Sequence, residues 1–396
     1  MKYLSLGKQK CYYLKKYRSL IARKYGLKGY HFMLCPYGRN CVGSCEKCDM
    51  ELKKLSDSVS LLDVKKVKLP KEKGIDIRTP INIAEHLKSK GLYGSLKESD
   101  ESHRVYGLFT DSERRDKEPL ARIFGIERLC INIDGPGITT LVGLSGCHMN
   151  CRYCINKMNV DEHFRDEYLI SCETLYDIVK QDSLYFMASN GGICFGGGEP
   201  LLQIDFILAF IKYLRANGVK WQVGLETSMN ILYDEVIEEL LGLVDFLIVD
   251  VKSLNKDIYE KYTTWPNDYL LENLEKLLDY KGNLRLRVPY IEDYQDKDNQ
   301  NWVVSELLKI GFSEHQIECF NYVKIEDYSM FDFIDGGITD FDDVEPISPP
   351  RRNGNTLSGY IMGISSENSS IQNRSISDDS DGWDSLKLWS DNSINK

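Results

Sequence analysis

Cys147-His148-Met149-Asn150-Cys151-Arg152-Tyr153-Cys154 puts three thiols within eight residues, in the form C-x3-C-x2-C. Three thiolates on one short loop suit three irons of a 4Fe–4S cluster, and the fourth iron then stays open to a small molecule. Tetrahedral zinc asks for a fourth ligand. His148 stands close by, but its place beside Cys147 in the chain makes it awkward for the same ion. Spacing alone weighs toward the cluster and leaves zinc open.

The stretch directly follows an apolar run at Thr139–Leu144. Further short apolar runs occur at Gly192–Phe195, Trp221–Leu225, Phe246–Val251, Leu284–Val288 and Ile317–Val323. Segments of helical period lie between them: Ile207, Phe210, Ile211 and Leu214; then Val236, Leu240 and Leu241; then Leu270, Leu271, Leu274, Leu277 and Leu278. Strands alternating with helices predict parallel βαβ units with right-handed crossovers. Six such units make an α/β fold with an open, partial (β/α)6 barrel, whose chemistry belongs at the carboxyl ends of the strands.

A second motif fits that expectation. Gly196-Gly197-Gly198-Glu199-Pro200 follows the next predicted strand, as the cysteines follow the first. Alone, a glycine-rich GGEP segment says little, because glycines mostly serve turns. With both motifs in this order, and Tyr153 between the last two cysteines, the sequence resembles the radical S-adenosylmethionine (radical SAM) superfamily. Asp134-Gly135-Pro136-Gly137-Ile138 also resembles the DGPGIR segment of glycyl-radical-enzyme activating enzymes of the pyruvate formate-lyase activase type. Glu226-Thr227 stands where that group has an Asp-Thr pair, Asp250-Val251-Lys252 matches its Asp-x-Lys, and Arg287 begins a loose match to an Arg-containing strand end. The resemblance covers about residues 131–325.

The resemblance implies a radical SAM oxidoreductase. Cys147, Cys151 and Cys154 would ligate the cluster. The backbone at Gly196, Gly197, Gly198, Glu199 and Pro200 would hold SAM, with Tyr153 near its adenine. Glu226, Thr227 and Asp250 would organise its carboxylate, with a monovalent cation as a further component, and Lys252 and Arg287 would line the site. Activating enzymes imply a protein or peptide substrate and an electron donor such as flavodoxin or ferredoxin. Modification of a ribosomal peptide or an RNA base, and a non-catalytic iron–sulfur regulatory protein, are the alternatives. Three departures stand out: Thr139 replaces the group's arginine, Glu226 is one methylene longer than aspartate, and about 130 residues precede the Asp134 segment.

Those preceding residues carry a second cysteine group. Cys35, Cys41, Cys45 and Cys48 lie within fourteen residues, and the last three repeat the C-x3-C-x2-C spacing. Lys47 replaces the aromatic, and no GGE segment follows. Four thiols suit an auxiliary 4Fe–4S cluster or structural zinc. The other five cysteines, Cys11, Cys130, Cys172, Cys194 and Cys319, read as small buried hydrophobes. Residues 1–73 hold 18 Lys+Arg against 6 Asp+Glu, so with a net charge of −10 the remainder carries −22. Tyr3, Tyr12, Tyr13, Tyr17, Tyr25 and Tyr30 interleave with this basic stretch. Such a stripe could face RNA or an acidic peptide, or simply be a solvated helix surface against the chain's own acids.

Five regions result: a basic cysteine-rich region at 1–73, a connecting region at 74–130, the barrel at 131–325, an acidic extension at 326–364 and a tail at 365–396. The tail holds ten serines in 32 residues and is expected to be disordered. Seven of twelve cysteines in two clusters point to a metal protein of a reducing compartment, hence cytoplasmic. No apolar run reaches the roughly 20 residues of a membrane helix, and the first residues lack the pattern of a secretory signal.

Overall fold

The computed structural model describes residues 6–27, 45–60, 63–69, 79–80, 119–154, 156, 168–291, 297–322 and 364–365. Cys35, Cys41 and nearly all of 326–396 lie outside the described residues.

Eight strands carry the fold: β1 (Ala121–Ile131), β2 (Ile138–Leu144), β3 (Tyr168–Ile170), β4 (Gly192–Gly197), β5 (Gln222–Thr227), β6 (Phe246–Asp250), β7 (Asn283–Tyr290) and β8 (Ile317–Tyr322). Their order in the sheet is β1-β2-β4-β5-β6-β7-β8, with β3 paired to β1 and two-residue pairings at Thr79–Pro80 and Ile364–Ser365 on the outer ends. From β2 to β8 every neighbour is parallel, which gives the six expected strands of an open barrel. The antiparallel β1 was not legible as a strand. Its apolar alternation is broken by register shifts between Ile123 and Gly125 and between Glu127 and Cys130, and Leu129 sits at φ 62°.

Both faces of the sheet are covered. Ile193 and Phe195, Val223 and Leu225, Leu247 and Val249, and Leu284, Leu286 and Val288 pack under the helices. The alternate positions face the hollow of the barrel, where Leu141, Cys194, Phe246 and Ile248 form a separate apolar floor. Burial on both sides is why these strands read as continuous apolar runs.

Nine helices are described. They are α1 (Leu6–Lys24), α2 (Glu46–Asp57), α3 (Cys172–Val179), α4 (Ser183–Ser189), α5 (Ile204–Ala216), α6 (Glu235–Leu243), α7 (Lys256–Thr263), α8 (Asp268–Leu277) and α9 (Lys297–Ile310). Starts are set by side-chain caps: Ser171 accepts from Thr174 N, Asp234 from Val236 N and Ile237 N, and Asn255 from Ile258 N. Ile207, Phe210, Ile211 and Leu214 are buried as their spacing predicts. Three positions of the helical pattern are not: Val236, Leu271 and Leu278 are exposed, and Ile237 and Leu277 take the inward places beside them.

The N-terminal helices join the barrel's core. Tyr13, Leu14, Tyr17 and Ile21 of α1 and Leu52 and Leu55 of α2 cluster with Leu129, Ile131, Ile138, Leu184 and Tyr185. Buried charges fix the contact. Arg18 is fully buried, with Nη1 donating to Tyr185 Oη at 2.6 Å and Nη2 to Glu51 Oε2 at 2.7 Å. Arg128 of β1 pairs with Asp182 at 2.7 Å and with Asp49 at 3.0 Å. Tyr13 and Tyr17 of the basic stripe are therefore core residues, unavailable as a stacking platform for bases.

Candidate active site

The cysteine loop leaves β2 at Leu144 and is tied down on two sides. On one, the glycine segment bonds back to it: Gly198 N–H donates to the Leu144 carbonyl at 2.8 Å, and Glu199 N–H to the Gly146 carbonyl at 2.9 Å. On the other, Asn150 N–H donates to the Thr263 carbonyl at 3.0 Å and Arg152 N–H to that of Tyr262 at 2.9 Å. Those carbonyls close α7 and have no partner within the helix, so the loop satisfies both itself and the helix end. Aromatic contacts complete the seat. Tyr153 meets Tyr262 edge-on at 5.7 Å and His148 meets Trp265 at 5.6 Å, while Tyr259 Oη donates to Met149 Sδ at 3.3 Å.

The glycine segment ends β4. Gly197 has φ +95°, and a Cβ there would stand 2.8 Å from the Phe124 ring. Asn156 Nδ2 donates to the Gly197 carbonyl at 3.1 Å. The Glu199 carboxylate is fully engaged within the protein. It accepts from Thr227 Oγ1 at 2.5 Å, Ser228 Oγ at 2.6 Å, Ser228 N at 3.0 Å and Leu201 N at 3.2 Å. Its side chain thus braces the β4 and β5 ends together. Its backbone is engaged as well, the N–H donating to Gly146 and the carbonyl accepting from Leu202 N at 3.1 Å. Thr227, expected to line the site, serves the same brace.

Glu226 and Asp250 lie at the ends of β5 and β6, and Arg287 lies within β7 beside them. Asp250 and Arg287 share one register position. Arg287 Nη1 donates to Glu226 Oε1, Nε to Glu318 Oε2 at 3.2 Å, and Nη2 to the Ile133 carbonyl at 2.6 Å. The structure thus joins Glu226 and Arg287 as a buried ion pair. Glu226 Oε2 and Asp250 Oδ1 remain buried without a hydrogen-bond partner. Lys252 Nζ lies 3.1 Å from Asp250 Oδ2 and 5.9 Å from the centre of the Tyr153 ring. Burial works against charge on Lys252, but Asp250, Tyr153 and Cys151 outweigh it and hold the ammonium well above its ordinary range. Burial first, then the nearby Cys151 and Asp250, push the Tyr153 phenol up against the pull of Lys252.

The residues present fit a cluster and SAM. Burial first, then mutual repulsion with Cys151, raises the Cys147 thiol, so iron binding displaces protons from buried sulfurs. Among the described residues no three His, Cys, Asp or Glu side chains stand at the spacing of one bound ion. A cluster gives each thiolate its own iron and needs no such spacing. The two orphaned carboxylate oxygens and the unpartnered ring nitrogens of His148 are buried groups that call for a polar partner.

Sequence reasoning missed Ser228, Asn156, Tyr262 and Trp265. Ser228 directly follows Glu226-Thr227 and could have been suspected. The other three carry no local signal, because they meet the motifs only through the fold. Cys45 and Cys48 lie apart from this site on α2, where they meet Cys11.

Sequence comparison with known proteins supports the same family. Residues 141–300 match the Radical SAM superfamily. The chain is 30% identical over 207 residues to the pyruvate formate-lyase 1-activating enzyme of Escherichia coli, covering 51% of this chain and 81% of that protein. It is 27% identical over 240 residues to the (2S)-3-sulfopropanediol dehydratase activating enzyme of Klebsiella oxytoca, covering 46% and 74%. Among solved structures, anSMEcpe with bound AdoMet superposes with a TM-score of 0.35 at 18% identity, over 47% of this chain and 53% of that one. No described helix is long and apolar enough to cross a membrane. The chain belongs to the radical SAM superfamily, a family that implies a 4Fe–4S cluster and SAM, and it resembles the glycyl-radical activating enzymes within it.

Proposed function

We propose that this protein is an activating-type radical SAM enzyme that abstracts hydrogen from a protein or peptide substrate. The observation that carries the reading is the mutual docking of the two motifs at the β2 and β4 ends, through Gly198 and Glu199 onto Leu144 and Gly146. It fixes a three-thiol loop beside the glycine backbone at the carboxyl ends of the β2 and β4 strands. Cys147, Cys151 and Cys154 would hold the cluster, and the backbone of Gly196–Pro200 would hold the SAM amino group. When bound and reduced, this pair supplies methionine and a 5′-deoxyadenosyl radical. Tyr153, partly buried and flanked by Tyr262 and Lys252, would offer its ring to the adenine. Asp250 Oδ1 and Glu226 Oε2, buried without partners, would organise the SAM carboxylate with the help of a monovalent cation that offsets the negative charge. The covered barrel wall keeps water from the reacting atoms.

The protein substrate is supported by the activating-enzyme relatives, each named for a protein it activates. A reduced flavodoxin or ferredoxin is the electron donor this reading requires.

The test is anaerobic loading with iron and sulfide, reduction, addition of SAM and quantitation of 5′-deoxyadenosine. Product from the native chain and none from Cys151→Ala is expected. A chain with verified cluster content that yields no product overturns the reading. A glycyl-radical doublet in the electron paramagnetic resonance spectrum of a co-incubated protein would identify the substrate.

A further inference from the structure

Met229, three residues past Glu226, is fully buried and sits at φ 49°. That left-handed region suits glycine and crowds any residue with a Cβ. A residue persists there only where its surroundings over-determine it, and such residues gather at functional sites. The surroundings of Met229 lead directly to the Glu199 brace.

On one side the segment hangs from that carboxylate in two tiers. Thr227 Oγ1 donates to Glu199 Oε1 and Ser228 Oγ to Oε2. The same hydroxyls accept from the backbone that follows: Thr227 Oγ1 from Met229 N at 3.0 Å, and Ser228 Oγ from Asn230 N at 3.3 Å. Each hydroxyl donates and accepts at once, and bonds chained in this way strengthen one another. On the other side stands Asn273 of α8. Its Nδ2 donates to the Met229 carbonyl at 2.7 Å and to the Ile231 carbonyl at 2.8 Å. Both amide hydrogens are thus given to one loop. Asn273 lies on the buried stripe of α8 with Leu270, Leu274 and Leu277, where the helical pattern calls for an apolar residue. Asn230 Nδ2 adds a third tie, to the Pro266 carbonyl at 2.7 Å.

We propose that Asn273 is a positioning residue for SAM: it holds Met229 in the left-handed conformation, which keeps the Thr227 and Ser228 hydroxyls on Glu199 and so sets the Gly196–Pro200 backbone. Its consequence for SAM rests on the function proposed above. The path of contacts is continuous. Asn273 grips the carbonyls on either side of Asn230, the turn at Met229 aims Ser228 back at Glu199, and Glu199 N–H bonds in turn to the cysteine loop at Gly146. Without Asn273, two carbonyls lose their donor and the strained turn loses its outer clamp. Met229 then relaxes toward negative φ, and Ser228 swings away from the carboxylate. Asn273 acts on SAM through this loop and not by touching it.

The test measures SAM affinity apart from turnover. The full chain is loaded with iron and sulfide and kept oxidised, so that SAM binds without being cleaved, and equilibrium dialysis with labelled SAM gives Kd. Asn273→Ala should weaken binding by about fivefold or more, and half-saturation in the 5′-deoxyadenosine assay should rise by the same factor while turnover at saturating SAM falls less. Met229→Gly placed on Asn273→Ala should restore most of the affinity, because glycine keeps the left-handed turn without a clamp. Leu271→Ala, an exposed position on the same helix, should leave Kd unchanged. If Asn273→Ala fails to fold, Asn273→Ser and its Met229→Gly double take the place of the pair. A lowered urea midpoint with unchanged Kd would show a purely structural role and overturn the proposal. So would a double variant that binds SAM as weakly as the single one. A native chain that binds no SAM defeats this proposal and the functional reading together, whereas equal Kd in the native chain and Asn273→Ala defeats this proposal alone.

Discussion

A Cβ placed on Gly198 would stand 2.0 Å from the carbonyl oxygen of Gly146. No side chain tolerates that approach, and the atom it meets is backbone of the cysteine loop. Gly198→Ala should therefore push the loop away and break the bonds from Gly198 and Glu199. Production of 5′-deoxyadenosine should fall at least tenfold, as a small misplacement of reacting groups commonly costs. Gly218→Ala serves as the comparison: it meets nothing within 4 Å and has φ +70°, so it should cost only about 1 kcal/mol of backbone strain and leave turnover unchanged. Equal turnover in the two variants would defeat the argument.

This pair of glycines also shows what a sequence can and cannot carry. The two motifs were readable because each follows a strand buried on both faces, and such strands read as apolar runs. Their bonding to one another is a register fact, visible only once β2 lies beside β4. The same holds for Glu226 and Arg287. Each was legible as a polar residue at a strand end, but 61 positions separate them and nothing local says that they pair. β1 escaped notice because bulges and the left-handed Leu129 interrupt its alternation. Cys11 was read as an ordinary buried cysteine because its sulfur neighbours lie on another helix.

Glu199 accepts four hydrogen bonds and so holds β4 and β5 together at the site's floor. Glu199→Gln keeps the size but turns one acceptor oxygen into a donor facing Ser228 or Thr227. An unmatched buried group of this kind costs about 1–3 kcal/mol. The expected result is a lowered urea midpoint with measurable, reduced 5′-deoxyadenosine, in contrast to the full loss in Cys151→Ala. Abolished turnover at unchanged stability would instead put the carboxylate in contact with the ligand.

Arg287 lies between Glu226 and Glu318 with the Glu226 side chain wholly buried. Arg287→Met leaves that carboxylate uncompensated, which costs about 3–5 kcal/mol for a buried charge pair. The double variant Glu226→Gln with Arg287→Met removes the orphaned charge and should recover part of the loss. Denaturant unfolding of the native chain, the two single variants Glu226→Gln and Arg287→Met, and the double variant gives the coupling. Additive effects would mean that the two side chains do not share an interaction.

Glu318 gives the pH dependence. Burial works to raise its carboxyl, but the guanidiniums of Arg287 and Arg285 outweigh that and hold it below the ordinary carboxylate range. The folded state therefore binds this proton more weakly than the unfolded state. The resulting stability is present in full above the ordinary glutamate pKa and is lost as pH falls through the depressed folded value. Glu318→Gln removes a partly exposed pair, so a loss of about 1 kcal/mol is expected at pH 7, or roughly 2–4 °C in Tm. The gap between native and variant should narrow steadily as pH is lowered below about 4.5, where the native carboxyl begins to take up its proton on unfolding. Thermal unfolding followed by circular dichroism at stepped pH measures it. A gap that stays constant into acid would show that Glu318 contributes by packing, with no part played by its charge.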